Sequence, residues 1–267
     1  MITSMQNQWV KLFRKLHVSK HRHELNLSLV EGSHLVEEAI VSGCELEHFC
    51  FTEGWRDRNL DLHQQALNRS QHVELVSDSV LSAMTTTVNP DGVVATIGRR
   101  VHRELGHLES FGLALSRIQD PGNVGTMIRT AAAAGIDELW VSGDSVELDH
   151  PKVMRASAGQ WFRLPMVTVE DLGSQIIQAK QAGIQVVTTV PTADRIHWEA
   201  DFTKPTLVVM GNEGAGLSPE IADLADVPVR IPLARGVESL NVAIAAAIIL
   251  YEVQRQRQVQ DFRQVHH

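Results

Sequence analysis

From residue 111 onward, short apolar runs alternate with stretches that have helical spacing. The runs are apolar on both faces, as the sequence LVVM at 207–210 illustrates, and strands of this kind need helices on both sides of their sheet. This part of the chain is therefore expected to form a doubly wound parallel α/β sheet, which binds ligands beyond the carboxyl ends of its strands. The predicted strands are 112–117, 138–142, 164–168, 185–190, 206–210 and 227–231.

The first hundred residues carry shorter alternating elements. Ser33 is a plausible helix N-cap and Gly43 a plausible end of the same helix. The sequence Asn-Pro-Asp-Gly at 89–92 predicts a tight turn. These features predict a compact α/β/α sandwich. Its predicted strands are 28–31, 46–51, 73–76 and 93–97, and its predicted helices are 33–41 and 60–69.

A polar stretch without strand or helix periodicity, residues 101–110, separates the two patterns and is expected to be a linker. The chain has 267 residues, which is more than one hydrophobic core usually organises. We therefore expect two domains, at 1–100 and 111–267.

The net charge of −8 matters less than the distribution of charge. Residues 1–23 contain five Lys or Arg residues and no Asp or Glu. Such a segment is either a surface that faces RNA or the solvated side of an amphipathic helix, and the sequence leaves both open. The candidate RNA-binding residues are Lys11, Arg14, Lys15, Lys20 and Arg22. A second basic cluster comprises Arg99, Arg100, His102 and Arg103.

Several classes of protein are disfavoured by composition. Cys44 and Cys50 have no metal-ligand spacing, so no metal site is expected. The N-terminus lacks the order of a secretory signal, and the longest apolar run, 242–251, is about half of a membrane span. We therefore expect a soluble, cytoplasmic protein. No role is assigned to the terminal pair His266 and His267.

Three loops that follow predicted strands carry candidate chemistry. The first, residues 119–125 (QDPGNVG), leads into a helix that bears Arg129. A helix N-terminus and a guanidinium both suit a phosphate. The alternative is that the glycines only make a tight turn and that Arg129 forms a surface ion pair.

The second loop, 211–217 (GNEGAGL), combines three glycines with Glu213 at the end of a strand, but it matches neither a dinucleotide fingerprint nor a Walker loop. The third, 236–241 (GVESLN), leads into a helix, and Ser239 is either a functional hydroxyl or simply its N-cap. That helix, at 242–252, is apolar on all faces and must be buried all round. Packing against a second copy of the protein would achieve this.

Taken in order, the segments QDPGNVGTMIRTAAAAG, VMGNEGAGLS and IPLARGVESLNVAIAAAIILYE resemble the three motifs of the SpoU (TrmH-like) branch of the SPOUT RNA 2'-O-ribose methyltransferases. The resemblance covers residues 112–256. The segments LVEGSHLVEEAI and NPDGVVA resemble, more loosely, the substrate-binding domain of that family. The resemblance implies a trefoil-knotted parallel sheet, a preceding RNA-binding domain and a homodimer formed through the C-terminal apolar helix.

The resemblance also implies the cofactor S-adenosylmethionine and a set of site residues. The implied cofactor-binding residues are Thr189, Met210, Gly211, Ile231, Leu233 and Leu240. The implied catalytic residues are Asn123, Arg129, Glu213, Ser239 and Asn241. One departure is local: family members often have Gly at the position of Arg235, whereas here the glycine follows at 236.

The expected activity is methyl transfer from S-adenosylmethionine to a ribose 2'-hydroxyl of structured RNA. The two-domain layout favours ribosomal over transfer RNA, by analogy with the family alone. The pKa of an Arg side chain lies about five units above pH 7, so its uncharged form is scarce. Arg129 is therefore expected to anchor a phosphate rather than act as the base. Glu213, Asn123 and Ser239 are expected to orient Arg129 and the ribose. The alternatives are a tRNA methyltransferase and a non-catalytic RNA-binding or ribosome-assembly factor. A nucleotide-dependent dehydrogenase is disfavoured because no dinucleotide fingerprint opens the sheet.

Overall fold

The computed structural model describes residues 1–99 and 108–265, with side chains described as far as residue 258. The expected linker therefore lies almost wholly outside the described residues, as do three members of the second basic cluster and the terminal His pair. The described chain forms two compact units. The first takes residues up to 99 together with Glu147–Arg163, and the second takes the described residues from 108 to Val146 and from Leu164 on.

The first unit is built on a four-stranded sheet with the order β1-β4-β2-β3. The pairs β1–β4 and β2–β4 are antiparallel and β2–β3 is parallel, so β3 is an edge strand. Its elements are α1 (Gln8–Leu16), α2 (Ser19–Leu25), β1 (Leu27–Glu31), α3 (Ser33–Val41), β2 (Leu46–Phe51), α4 (Glu53–Arg58), α5 (Leu60–Leu67), β3 (Ser70–Leu75), α6 (Asp78–Met84) and β4 (Val93–Gly98).

Helices cover both faces of this sheet. On one face α1 and α6 bury Phe13 and Met84 against Cys50 of β2. Alternation along the strand points Phe49 and Phe51 to the opposite face, where they meet Trp55 of α4. The Ser33 helix has the expected bounds, but its N-cap is Gly32 rather than Ser33.

A buried ion-pair network holds Glu147–Arg163 in the first unit, although the sequence analysis assigned this segment to the second domain. Arg22 is 1% exposed and lies 2.5 Å from the Glu147 carboxylate. Asp149, which is fully buried, pairs with Arg99 at 2.7 Å. Buried charges of this kind require partners. This corrects the assignment of Arg22 to the RNA-binding set, because its guanidinium is withdrawn from solvent.

The second unit is built on a six-stranded sheet with the order β10-β8-β9-β5-β6-β7, parallel throughout, as expected. The remaining elements are β5 (Phe111–Leu115), α7 (Pro121–Ala133), β6 (Glu138–Ser142), α8 (Pro151–Ala156, in the first unit), β7 (Met166–Val169), α9 (Leu172–Gln181), β8 (Gln185–Thr189), β9 (Thr206–Met210), α10 (Pro219–Ala222), β10 (Val227–Val229) and α11 (Val242–Val265).

The order of strands reverses between β5 and β9. The chain builds β5, β6 and β7 in one direction and then crosses to lay down β8, β9 and β10 on the other side. α9 covers the sheet face that carries Ala114 and Leu207, while α11 packs against β9 and α7. In such sheets the ends of the strands near the reversal point are the usual place for ligands.

The expectation that the C-terminal helix is buried on all faces does not hold within one chain. Ala246, Ile249 and Leu250 of α11 are buried, but Ile244 is 52% and Tyr251 49% exposed. These two residues are spaced i and i+7, so they share one side of the helix. One apolar side of α11 therefore faces outward in a single copy. Within residues 1–99 and 108–265, no helix is both long and apolar enough to cross a membrane.

Candidate active site

A cavity of about 380 Å³ lies beyond the carboxyl ends of β8, β9 and β10. Its walls come from the last residues of these strands and from the two loops that follow β9 and β10. The structure brings all six candidate cofactor residues together around it: Thr189, Met210, Gly211, Ile231, Leu233 and Leu240. Because these residues belong to three separate strand ends, the cavity exists only once the sheet has formed.

The loop after β9 approaches its own backbone closely. A Cβ on Gly211 would lie 2.5 Å from the carbonyl carbon of Gly216 and from the amide nitrogen of Leu217. Asn212 holds the loop in this shape, because its Oδ1 accepts hydrogen bonds from the amides of Gly214 (3.0 Å) and Ala215 (2.9 Å). Asn212 was not among the predicted site residues. The signal was present, since Asn commonly bonds to the backbone two residues on in such turns.

The segment after β10 runs from Arg230 to Asn241 without helix or strand and forms the opposite wall. Leu233 and Leu240 are 36% and 37% exposed, so they offer apolar surface to the cavity. Ser239 also lines the cavity and makes no hydrogen bond to a described residue. It is not the N-cap of α11. Asn241 has that role, because its Oδ1 accepts hydrogen bonds from the amides of Ala243 (2.9 Å) and Ile244 (3.3 Å).

A chain of hydrogen bonds joins the three motif loops. Asn241 donates from Nδ2 to Oδ1 of Asn123 at 2.9 Å, and Asn123 donates from its own Nδ2 to Oε1 of Glu213 at 3.1 Å. Glu213 also accepts the backbone amides of Gln119 (3.3 Å) and Asp120 (3.1 Å). The N-terminus of α7 is thereby fixed against both loops that line the cavity.

The environment of Glu213 keeps its carboxylate ionised. Partial burial by itself raises the pKa of this group, but hydrogen bonds from the Asn123 side chain and from backbone amides, including those of Asp120 and Gln119, outweigh it, and the net pKa is lowered. A carboxylate with its lone pairs occupied in this way is a weak proton acceptor. Glu213 therefore holds the loops together rather than taking a proton.

Arg129 lies in α7, about two and a half turns after its N-cap Asp120, and its side chain is exposed. It forms no ion pair with any described residue, so the alternative of a surface ion pair is not observed. Arg129 does not line the cavity in a single chain. Its guanidinium remains available for an anion from outside the protein.

The described residues contain no group of three or more His, Cys, Asp or Glu side chains arranged to hold a metal ion.

The family of this chain is decided by a family model whose matched residues include the three loops. The model of the SpoU rRNA Methylase family matches residues 110–251, more than half of the chain and all three motif loops. The chain belongs to the SpoU rRNA methylase family. The predicted family and its methyltransferase class are thus confirmed. A model of the MRM3-like substrate binding domain matches residues 7–95, within the first unit.

Three relatives of this SpoU protein match it over nearly their whole length. An uncharacterized tRNA/rRNA methyltransferase of Synechocystis sp. is 44% identical over 96% of this chain and 94% of its own. The 23S rRNA (guanosine(2553)-2'-O)-methyltransferase RlmP of Bacillus subtilis is 34% identical over 94% of this chain and 98% of its own. The crystal structure of an AdoMet-bound rRNA methyltransferase from Sinorhizobium meliloti superposes with a TM-score of 0.83 at 32% identity, covering 95% of this chain and 97% of that one.

Proposed function

We propose that this protein transfers a methyl group from S-adenosylmethionine to a ribose 2'-hydroxyl of RNA, with ribosomal RNA as the substrate. The observation that carries the proposal is the hydrogen-bonded chain from Asn241 through Asn123 to Glu213, which joins the three motif loops beside one cavity. The Bacillus subtilis relative is a 23S rRNA 2'-O-methyltransferase, which supports ribose methylation of ribosomal RNA. Transfer RNA is the alternative substrate, since the name of the Synechocystis relative covers both.

The cavity fits S-adenosylmethionine. Its size is within the usual range for small-molecule sites. Leu233 and Leu240 offer apolar surface to an adenine ring, and the backbone of the two loops, which is largely free of sheet or helix pairing, offers donors and acceptors. The absence of a side chain at Gly211 allows the backbone to come close to a ligand. When bound, the cofactor supplies an electrophilic methyl group on a positively charged sulfur.

On the RNA side, Arg129 would bind a backbone phosphate next to the target ribose. Its planar guanidinium suits two phosphate oxygens, and its high pKa makes it an anchor and charge stabiliser rather than a base. Asn123, Glu213 and Asn241 would act by fixing the start of α7, and the hydroxyl of Ser239 would hydrogen-bond to the ribose. Correct alignment of the hydroxyl oxygen with the methyl group supplies much of the rate enhancement in a displacement of this type.

The proposal assigns a separate task to each part of the chain. Residues 1–100 would recruit RNA, using Lys11, Arg14, Lys15 and Lys20, and residues 111–267 would carry out catalysis after a linker at 101–110. The outward apolar side of α11, with Ile244 and Tyr251, supports a homodimer formed through this helix. With RNA as its substrate, the enzyme would work in the cytoplasm.

A non-catalytic RNA-binding factor is the competing proposal. The assembled polar network argues against it, because a protein that only binds RNA has no need of a cavity joined to three motif loops. The test is incubation of the full-length protein with RNA and S-adenosylmethionine labelled in the methyl group, followed by alkaline hydrolysis. Ribose methylation predicts label in alkali-resistant dinucleotides, more with ribosomal than with transfer RNA. Label in bases, or no transfer by a protein that binds the cofactor, contradicts the proposal.

A further inference from the structure

Three rings cluster at the outer edge of the first unit's sheet, on the face that α1 covers. The Trp9 ring centroid lies 4.5 Å from that of His48 and 5.2 Å from that of His72. The two histidine rings stack on each other at 5.2 Å with an interplanar angle of 24°. We call Trp9, His48 and His72 the ring platform.

The platform is open to solvent. His72 lies on the edge strand β3 and is exposed, and Trp9 is partly exposed, whereas Phe49 and Trp55 on the other face of the sheet are buried. Neither the Trp9 indole N–H nor a His72 ring nitrogen hydrogen-bonds to a described residue. The platform therefore presents flat ring surfaces and unpaired polar atoms to solvent at the edge of the sheet. The exposed rings are not part of the hydrophobic core.

His48 forms the fixed base of the platform. Its Nδ1 shares a hydrogen bond of 2.8 Å with Oγ1 of Thr96. Burial, and to a smaller extent the neighbouring His72, lower the pKa of His48 to about 4. His48 is therefore neutral at physiological pH. It supports the rings above it by stacking rather than by charge.

The helix that carries Trp9 also carries three cations. Trp9 is the second residue of α1, and Lys11, Arg14 and Lys15 follow on the same helix, all exposed. None of these three cations pairs with a described acidic group, and the first turn contains no Asp or Glu. Lys11 and Lys15 are spaced i and i+4, so they form a row along one side of the helix. Glu74, two residues after His72, is the half-buried acid on this face.

We propose that the ring platform and α1 form a binding site for an unpaired stretch of RNA, in which a base stacks on Trp9 and His72 and the flanking phosphates contact Lys11, Arg14 and Lys15. Unpaired bases stack on aromatic and His rings, whereas the bases of a duplex have their faces covered by their neighbours. The unpaired cations fit the phosphates. The inference rests on the proposed RNA substrate and deepens it, because it names the structural state of the RNA that the first unit recognises.

The test is fluorescence anisotropy with the full-length protein and two labelled RNAs, an oligoadenylate of about ten nucleotides and a fully paired, blunt-ended duplex of similar charge. Trp9→Ala and His72→Ala are each expected to weaken binding of the oligoadenylate by roughly tenfold and to leave binding of the duplex unchanged. Trp9→Phe, which keeps a ring, should bind the oligoadenylate nearly as the wild type does. Trp198→Ala is the matched control, because Trp198 is 54% exposed in the other unit.

Changing Lys11 and Lys15 together to Ala should weaken the binding of both RNAs and flatten its dependence on salt. Equal loss of both RNAs in Trp9→Ala and His72→Ala, or unchanged oligoadenylate binding in either, would overturn the inference. Because His72 is exposed, its variant tests the platform even if Trp9→Ala fails to fold. Methyl transfer to ribosomal RNA, measured on the same proteins, distinguishes a failure of the platform proposal from a failure of the proposed function. Transfer with ring-independent binding refutes the platform alone, whereas ring-dependent binding without transfer refutes the proposed function.

Discussion

The cavity beyond β8–β10 and the ring platform beside α1 use polar groups in opposite ways. Around the cavity, polar groups bind one another: Glu213 accepts four hydrogen bonds, two from the backbone amides of Gln119 and Asp120 and two from the side-chain amides of Asn123 and Asn212. Along α1, the cations bind no described partner. A reacting centre needs groups that are already fixed in position, whereas recruitment of a long polyanion needs charges that its phosphates can reach. The polar groups at the cavity are therefore held in fixed positions by one another, whereas the cations of α1 are accessible to a ligand from solvent.

Arg129 is both accessible and carried by a helix whose start is fixed, and its substitution should have the largest effect on turnover. It is exposed and unpaired like the cations of α1, but it lies on the helix whose start is held by Asn123. We expect Arg129→Ala to lower turnover by roughly 100- to 1000-fold while leaving cofactor affinity nearly intact. Arg129→Lys keeps the charge but loses the planar guanidinium, so its turnover should lie between that of the wild type and that of Arg129→Ala. Methylation kinetics together with calorimetry of S-adenosylhomocysteine test this, and an equal loss of both quantities would contradict the role.

Gly211 tests whether the cavity depends on close backbone packing. Gly211→Ala places a Cβ against the backbone of Gly216 and Leu217, which cannot move without opening the loop. The expected cost is roughly 1–3 kcal/mol, or about a 5- to 150-fold loss of cofactor affinity. Gly214→Ala in the same loop is the matched control, because its nearest neighbour, Oδ1 of Asn212, is 3.7 Å away. Similar affinities for both variants would show that the loop shape is not what binds the cofactor.

The outward side of α11 tests the proposed homodimer. Ile244→Asp puts a charge on the outward apolar side of α11 and should convert a dimer into monomers, because an unpaired charge buried in an interface costs several kcal/mol. Leu60→Asp alters a residue of the first unit that is 65% exposed and should leave the mass unchanged. Sedimentation velocity distinguishes the two outcomes. A wild-type monomer at micromolar concentration, or a dimeric Ile244→Asp variant, would refute the interface.

Glu213 should give the smallest of these effects, measured as a change in thermal stability. Its pKa is lowered in the folded protein, so its contribution to stability is present above the ordinary value of 4.5 and is lost as the pH falls through the folded value. Glu213→Gln should lower the melting temperature by roughly 2–4 °C at pH 7, because an amide cannot accept all of the hydrogen bonds. The difference from the wild type should shrink as the pH falls below about 4.5. A difference that does not change with pH would show that the carboxylate is not what holds the loops.

The elements of the second unit could be read from the sequence because each apolar run was short and flanked by helical spacing. β6 and β9 have their predicted bounds, and the three loops were found because each comes after a strand in the sequence. The contacts between those loops could not be read. The hydrogen bond between Asn123 and Asn241 joins residues that are far apart in the sequence, and it depends on the order of the strands.

In the first unit, the burial and the partners of charged and aromatic residues could not be predicted from the sequence. The five basic residues of 1–23 were candidates for one RNA-facing surface, with the solvated side of a helix as the alternative, but Arg22 is buried by partners more than a hundred residues away, Glu147 and Asp149. The ring platform was missed for the same reason, since Trp9, His48 and His72 come from three separate elements. Local patterns predict helices and strands, whereas burial and partnership are set by the packing of distant segments.

The central claim is that the loops after β9 and β10 bind the methyl donor. A crystal structure of the protein with S-adenosylhomocysteine tests it most directly. The account predicts the ligand in the cavity between Gly211 and Leu240, with its sulfur toward the side that carries Asn123 and Glu213. A ligand bound elsewhere on the sheet, with this cavity closed by side chains, would contradict it.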